Sequence, residues 1–203
     1  MSAKIIILSG PSRGGKDTVA NALHTAFGSK LHHVTTYTTR PKRQDEIEGQ
    51  HHFFVSKPVF RTMIKRGAFL EWAHVRNNYF GTPVESVKKT LGKGMSVLLK
   101  IEVQGAAIVK KQFPHDTIRI FLKPGSIRDI RERINASDFT PAQKKVRFKE
   151  ALREMKASKQ YDYIIINKKG ALDKTVEDGI ALIARLLHVK PKRLTRSKKV
   201  SRI

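Results

Sequence analysis

The chain has 203 residues, a net charge of +24 and no cysteine. That length suits one domain with a substantial core and room for inserted subdomains, and the ordinary apolar content excludes disorder throughout. The absence of cysteine excludes disulfides, thiolate metal sites and a cysteine nucleophile, while the charge points to polyanions (nucleotides, nucleic acid, acidic lipid surfaces) without choosing among them.

Residues 4–8 are apolar and largely β-branched and run into Ser9-Gly10, which predicts a buried strand ending in a glycine-rich turn. The run Ile5-Ile6-Ile7-Leu8 is far too short for a signal peptide or a membrane span, so a soluble cytoplasmic protein is expected. From Lys16, Val19, Ala20, Leu23 and Phe27 recur at helical spacing, and Gly28 closes that helix. Residues 34–88 break the rhythm with a Thr-rich stretch, a basic turn and FFVSKPVFRTMIKRGAFLEWA, which reads as a small mixed insert. SVLLKIEV at 96–103 predicts the next buried strand, followed by a helix from Gly105. TIRIFL at 117–122 and YDYIIIN at 161–167 predict two more strands. Between them lie two basic helices, about 126–136 and 141–158, and the chain closes with an amphipathic helix at 173–188. Strands alternating with helices predict a parallel α/β sheet. The run from Lys190 to Arg202 is basic and has no helical period, so 189–203 is read as a tail. It is either a solubilising extension or a loose, salt-sensitive RNA contact.

Between the first strand and the first helix stands LSGPSRGGKDT, residues 8–18. Gly10, Pro11, Ser12, Arg13, Gly14, Gly15 and Lys16 place glycines where backbone N–H groups and a helix N-terminus cradle a polyphosphate. Lys16 would bridge the β- and γ-phosphates of ATP. A P-loop of this kind usually offers a hydroxyl to Mg²⁺ at position 17. Asp17 offers a carboxylate, itself a good ligand for that metal. Thr18 cannot take over, because one step along a helix turns the side chain by about 100°.

The runs TTYTTRPKRQDEIEGQHHFFVS, FLEWAHVRNNYFGTPVESV and IEVQGA, all following GPSRGGK, resemble guanylate kinase in order and approximate spacing over residues 4–187. The resemblance implies a P-loop NTPase fold: a parallel sheet of about five strands flanked by helices, a GMP-binding insert and a helical lid. The corresponding division is core 1–33, 89–125 and 149–188, insert 34–88 and lid 126–148. It also implies transfer of the γ-phosphoryl group of ATP to GMP or dGMP, with Mg²⁺. Guanine carries N–H donors on one edge and O6 and N7 acceptors on the other. By resemblance Glu71 and Glu102 supply carboxylates, Thr36 and Thr82 hydroxyls, and Gly81 lies beside them. Arg40 and Arg43 fall on the family's TTRxxR motif for the GMP phosphate. His52 and Phe80 occupy positions where the family uses tyrosines. His52 still donates a hydrogen bond and would add charge when protonated, whereas Phe80 has lost the hydroxyl. Lys16, Arg133 and Arg147 would be catalytic, Thr18 lies in the ATP site, and Asn167 matches a position near the adenine.

The chain departs from the pattern at Asp17, at Lys100 (commonly a carboxylate in the family) and in NASDFTP, which lacks a lid arginine; Lys144 or Lys145 stands nearby as a point charge. Two other readings remain at this stage. One is a kinase for another phosphorylated acceptor such as ribose 1,5-bisphosphate, whose P-loop also resembles this one. The other is a non-catalytic guanylate-kinase-like binding module. A nucleic-acid-binding protein has only the charge in its favour.

Overall fold

A computed structural model describes residues 3–192. The basic tail therefore lies outside the described residues from 193 onward. The core sheet holds β1 (Ile5–Ser9), β2 (Leu31–His33), β7 (Ser96–Lys100), β8 (Thr117–Pro124) and β9 (Tyr163–Asn167). Their order is β2-β7-β1-β8-β9, and all four pairings are parallel. Every residue of the central strand β1 is buried, as expected where helices cover both faces of a parallel sheet. Alternation along β1 divides the core. Ile6 and Leu8 pack with Val19, Leu23 and Phe27 of α1 (Lys16–Phe27) and with Val176 and Ile183 of α7 (Leu172–Leu187). Ile5 and Ile7 pack with Val87 of α3 (Val84–Gly92) and with Ala106 and Val109 of α4 (Val103–Gln112). The chain leaves β1 toward one edge and later crosses to the other, so the loop after β1 sits at the switch point, where open α/β sheets bind ligands.

The predicted insert forms a second sheet, β4-β3-β6-β5, from β3 (Thr36–Thr38), β4 (His52–Phe54), β5 (Phe69–Val75) and β6 (Asn78–Pro83). Helix α2 (Lys57–Lys65) closes over it through the fully buried Phe60, stacked on Phe69 at 4.4 Å. A register shift between Phe69 and Glu71 inserts one extra residue in β5, so Leu70 and Glu71 are both buried. A bulge of this kind re-aims a side chain, here a carboxyl group. Helices α5 (Ile127–Asn135) and α6 (Pro141–Ala157) pack through a small core of Ile130, Ile134 and Ala151. Thr140 and Gln143 form a reciprocal capping box at the start of α6.

The predicted strands and helices appear close to their expected bounds, with one informative difference. Strand β7 stops at Lys100 and α4 begins at Val103, leaving Glu102 as the residue before the helix, with extended backbone. Glu102 is therefore aimed by a helix start and not by strand alternation. No helix among the described residues is long and apolar enough to cross a membrane.

Candidate active site

The loop between β1 and α1 is held open by glycine. Gly10 has φ 153° and Gly15 φ 90°, and a Cβ at Gly10 would stand 2.4 Å from the Leu122 carbonyl oxygen. Gly14 N–H donates to the Pro11 carbonyl at 2.9 Å and closes the turn. Lys16 folds back over this loop, its Nζ donating to the Gly10 carbonyl and, at 3.0 Å, to that of Pro11. An ammonium resting on two carbonyls is a group kept in place until a stronger anion arrives. Asn167 braces the loop from beneath. It is buried; its Nδ2 donates to the Gly14 carbonyl at 2.9 Å, and Thr175 Oγ1 donates to its Oδ1 at 3.2 Å. Its side chain is spent on the loop, and Arg133 Nη2 donates to its backbone carbonyl at 2.9 Å.

Asp17, in the first turn of α1, forms an ion pair with Lys100 at the end of β7. Crowding in the cleft works against its charge, although its side chain is 82% exposed. Lys100 first, then Lys16 and His52, outweigh that and hold the carboxyl at about 2. A single hard carboxylate beside a phosphate loop fits a Mg²⁺ ion that arrives with a polyphosphate and keeps most of its water. Among the described residues no cluster of three His, Asp or Glu could hold a metal on its own. Thr18 follows on α1, partly buried.

Across the cleft, Arg40 is paired in a two-pronged arrangement with Glu46, which also accepts from the Arg43 backbone N–H at 2.9 Å. The Arg40 guanidinium lies 5.3 Å from the Phe54 ring. His52 Nδ1 and Thr36 Oγ1 are 2.8 Å apart, and the His52 ring meets Phe80 edge-on at 6.0 Å. Burial, then Lys100 and Arg40, push the His52 imidazole down to about 4. The positive charge that a protonated His52 would add is thus absent at neutral pH, because burial disfavours it and Lys100 and Arg40 oppose it; the uncharged imidazole remains a hydrogen-bonding group. Gly81 is buried where a Cβ would come within 2.9 Å of the rings of Phe69 and Phe60, so it serves close packing under β6.

Deeper in the insert, Thr82 Oγ1 donates to Glu71 Oε1 at 2.5 Å, and both residues are buried. A Cβ at Gly105 would lie 2.2 Å from Glu71 Oε2, so only glycine leaves room for this carboxyl against α4. Burial raises Glu71 to about 7, with Glu102 adding to the rise and the Thr82 hydrogen bond opposing it. Glu154 of α6 completes the acidic end. Burial, then the neighbouring Glu102, hold its carboxyl well above the usual range.

The lid helices lie down on this cleft. Arg147 Nη1 donates to Ser12 Oγ at 3.2 Å, and its guanidinium stacks 3.7 Å from the Phe139 ring, which also faces Arg13 at 5.5 Å. Burial, then the nearby Arg76, lower Arg147 to about 10, with Arg43 and Arg13 adding to the fall. Arg76, in the β5–β6 turn, pairs with Glu150 of α6 and ties the second sheet to the lid.

This P-loop, opposed by a basic and an acidic surface on a separate small sheet, has a counterpart among known proteins. The guanylate kinase family model matches residues 2–185. The chain belongs to the guanylate kinase family. It is 42% identical to the guanylate kinase of Malacoplasma penetrans (strain HF-2) over 84% of this chain and 89% of that one. It is 39% identical to that of Caldanaerobacter subterraneus subsp. tengcongensis over 88% of this chain and 85% of the relative. The crystal structure of guanylate kinase from Anaplasma phagocytophilum superposes with a TM-score of 0.74 at 29% identity, covering 91% of this chain and 86% of that one. These likenesses favour neither a kinase for a non-nucleotide acceptor nor a binding-only module.

Four side chains at this guanylate kinase cleft escaped the sequence reading. Glu46 grips Arg40, Phe139 stacks on Arg147, Arg76 ties the β5–β6 turn to Glu150, and Glu154 faces Glu102. Glu46 carried a legible signal, an acid three residues past Arg43 in a basic turn. Glu154 carried a weaker one, two helical turns after Arg147 on the same face.

Proposed function

We propose that ATP and GMP (or dGMP) are the substrates, that ATP brings Mg²⁺, and that the sequence-derived residues do the work in a cytoplasmic enzyme. In this reading the loop 10–16 and the N-terminus of α1 hold the ATP phosphates, with Lys16 turning from its carbonyls onto the β- and γ-phosphates. Asp17 would hold the metal, which would supply charge neutralisation when bound. Arg40, Arg43, His52 and the Phe80 edge surround the GMP phosphate side. Glu71, Glu102, Thr36 and Thr82 read the guanine. A GMP phosphate oxygen forms a bond to the γ-phosphorus as the bond from that phosphorus to the β–γ bridging oxygen breaks, and the electron pair leaves on ADP. Little covalent help is needed, so positioning and positive charge carry the rate. Arg133 and Arg147 supply lid cations, and lid and insert together exclude water.

The observation that carries the acceptor choice is the buried Glu71–Thr82 pair beside Glu102. Carboxylates accept from guanine N1–H and N2–H₂, and adenine lacks that pair of donors on the same edge. The test is ADP formation from Mg-ATP with GMP, dGMP, AMP, UMP or ribose 1,5-bisphosphate, each product identified. GDP and dGDP from the two guanine acceptors, with the others far slower, is the expected result. Efficient turnover of AMP or ribose 1,5-bisphosphate would overturn the guanine assignment.

The raised Glu71 carboxyl gives this reading a pH signature. Its folded pKa of about 7 exceeds its ordinary value of 4.5, so the empty protein favours the protonated form and loses stability as pH rises between those values. Guanine donors favour the ionised form instead. GMP affinity is therefore expected to rise with pH through about 7, with a proton released on binding near neutrality. Calorimetry of GMP binding in buffers of different ionisation enthalpy measures that proton. No release would mean that Glu71 does not meet the guanine donors.

A further inference from the structure

Lys100 is a strong cation in the cleft that the proposed roles leave unused. Its position is fixed by the sheet. It follows Leu99 at the end of β7, in register with Leu8 beside the start of the phosphate loop. Its side chain is only 18% exposed, and its Nζ is paired with Asp17. Its charge is felt both by Asp17, which also feels Lys16, and by His52, which also feels Arg40. Lys100 is thus paired with the group proposed to serve the donor phosphates and near enough to His52, proposed to face the acceptor phosphate, for its charge to act there. A carboxylate at this place, as the resemblance would supply, could act there only through a metal ion. A lysine acts on phosphate oxygens directly, as a compact charge with three donors.

We propose that Lys100 is a further catalytic residue of the phosphoryl transfer, contacting the oxygens of the γ-phosphoryl group as it passes from ATP to GMP. The inference rests on the guanylate kinase reading above. In the empty cleft Asp17 holds the Lys100 ammonium over the phosphate loop. With Mg-ATP bound, the Asp17 carboxylate would be available to the metal and the Lys100 ammonium free to meet the negative charge that spreads over the three equatorial oxygens. The ion pair is therefore a positioning device, and the exchange of carboxylate for lysine at position 100 is matched by the carboxylate at position 17.

The test uses the full chain with Lys100→Met, Lys100→Arg, Asp17→Asn and the double variant Asp17→Asn/Lys100→Met. GMP binding by calorimetry shows that each variant keeps a folded acceptor site, and the double variant leaves no unpaired charge to disturb folding. Lys100→Met is expected to lower kcat on the order of 10²-fold with little change in the KM for GMP, and Lys100→Arg to restore part of it. A second readout is independent of turnover. The complex with ADP, GMP and aluminium fluoride, which mimics the transferring group, should bind in the wild type and weaken by about the same factor in Lys100→Met. If Lys100 merely neutralises Asp17, the double variant recovers the rate of Asp17→Asn alone and binds the fluoride complex as well as it does; that result overturns the proposal. A Lys100→Met enzyme within a few-fold of wild type overturns it too, while leaving the GMP kinase reading intact. A wild type that forms no GDP removes that reading and the inference with it.

Discussion

Lys16→Met is expected to lower GDP formation on the order of 10³-fold while leaving GMP binding unchanged, because it removes the cation nearest the developing charge. In the empty cleft its hydrogen bonds go to the carbonyls of Gly10 and Pro11, within the loop itself, so the substitution leaves the core sheet and the second sheet their support. Calorimetry with GMP and a steady-state rate measurement separate the two effects. The proposed acceptor site is built largely on another sheet, from β3, β4, β5 and β6, and should not register the change. A loss below tenfold would mean that Lys100 and the lid arginines carry the charge without Lys16.

The second large effect belongs to the acceptor end. Glu71→Gln keeps the shape and leaves a carbonyl to accept from Thr82, but turns an N–H₂ donor toward the donors of guanine. Losing hydrogen bonds to a charged group costs about 1.5–3 kcal/mol, so GMP should bind roughly 10- to 100-fold more weakly while ATP binding stays as it was. The proton released near neutral pH should vanish as well, since its source is gone. Crowding at Gly105 makes glutamine the right probe, because a larger side chain has no space against α4. Unaltered GMP affinity in Glu71→Gln would place the guanine elsewhere in the cleft.

The core sheet was legible because its strands are short apolar runs closed by turn residues, and its helices are amphipathic with clear ends, as Lys16–Phe27 and Leu172–Leu187 show. Motifs carried over from the family placed Glu71, Arg40 and the loop 10–16, because fixed spacing fixes which residues share a turn or strand end. What escaped were relations across the fold. The Arg40–Glu46 pair, the stacking of Arg147 on Phe139 and the meeting of Glu102 with Glu154 join residues by tertiary approach, which periodicity does not encode. The protonation state of His52 was left open by the sequence for the same reason: its pKa is set by burial and by Lys100 and Arg40, which come from outside its own strand. The Asp17–Lys100 contact is an intermediate case. Each residue is conspicuous as a departure from the family pattern, a paired change is legible from the two together, and the fold adds that they touch.

This cleft, with a carboxylate in its phosphate loop and a lysine at the end of β7, is expected to transfer a phosphoryl group between nucleotides instead of merely binding them. The most direct measurement follows the label of γ-³²P-ATP in the presence of Mg²⁺ and GMP and partitions it between GDP and inorganic phosphate. Label is expected in GDP at a rate in the range of about 1–10³ s⁻¹, with little in phosphate, because closure of the proposed lid would exclude water. Label appearing in inorganic phosphate, or nucleotides bound with no transfer under saturating Mg²⁺, would contradict it.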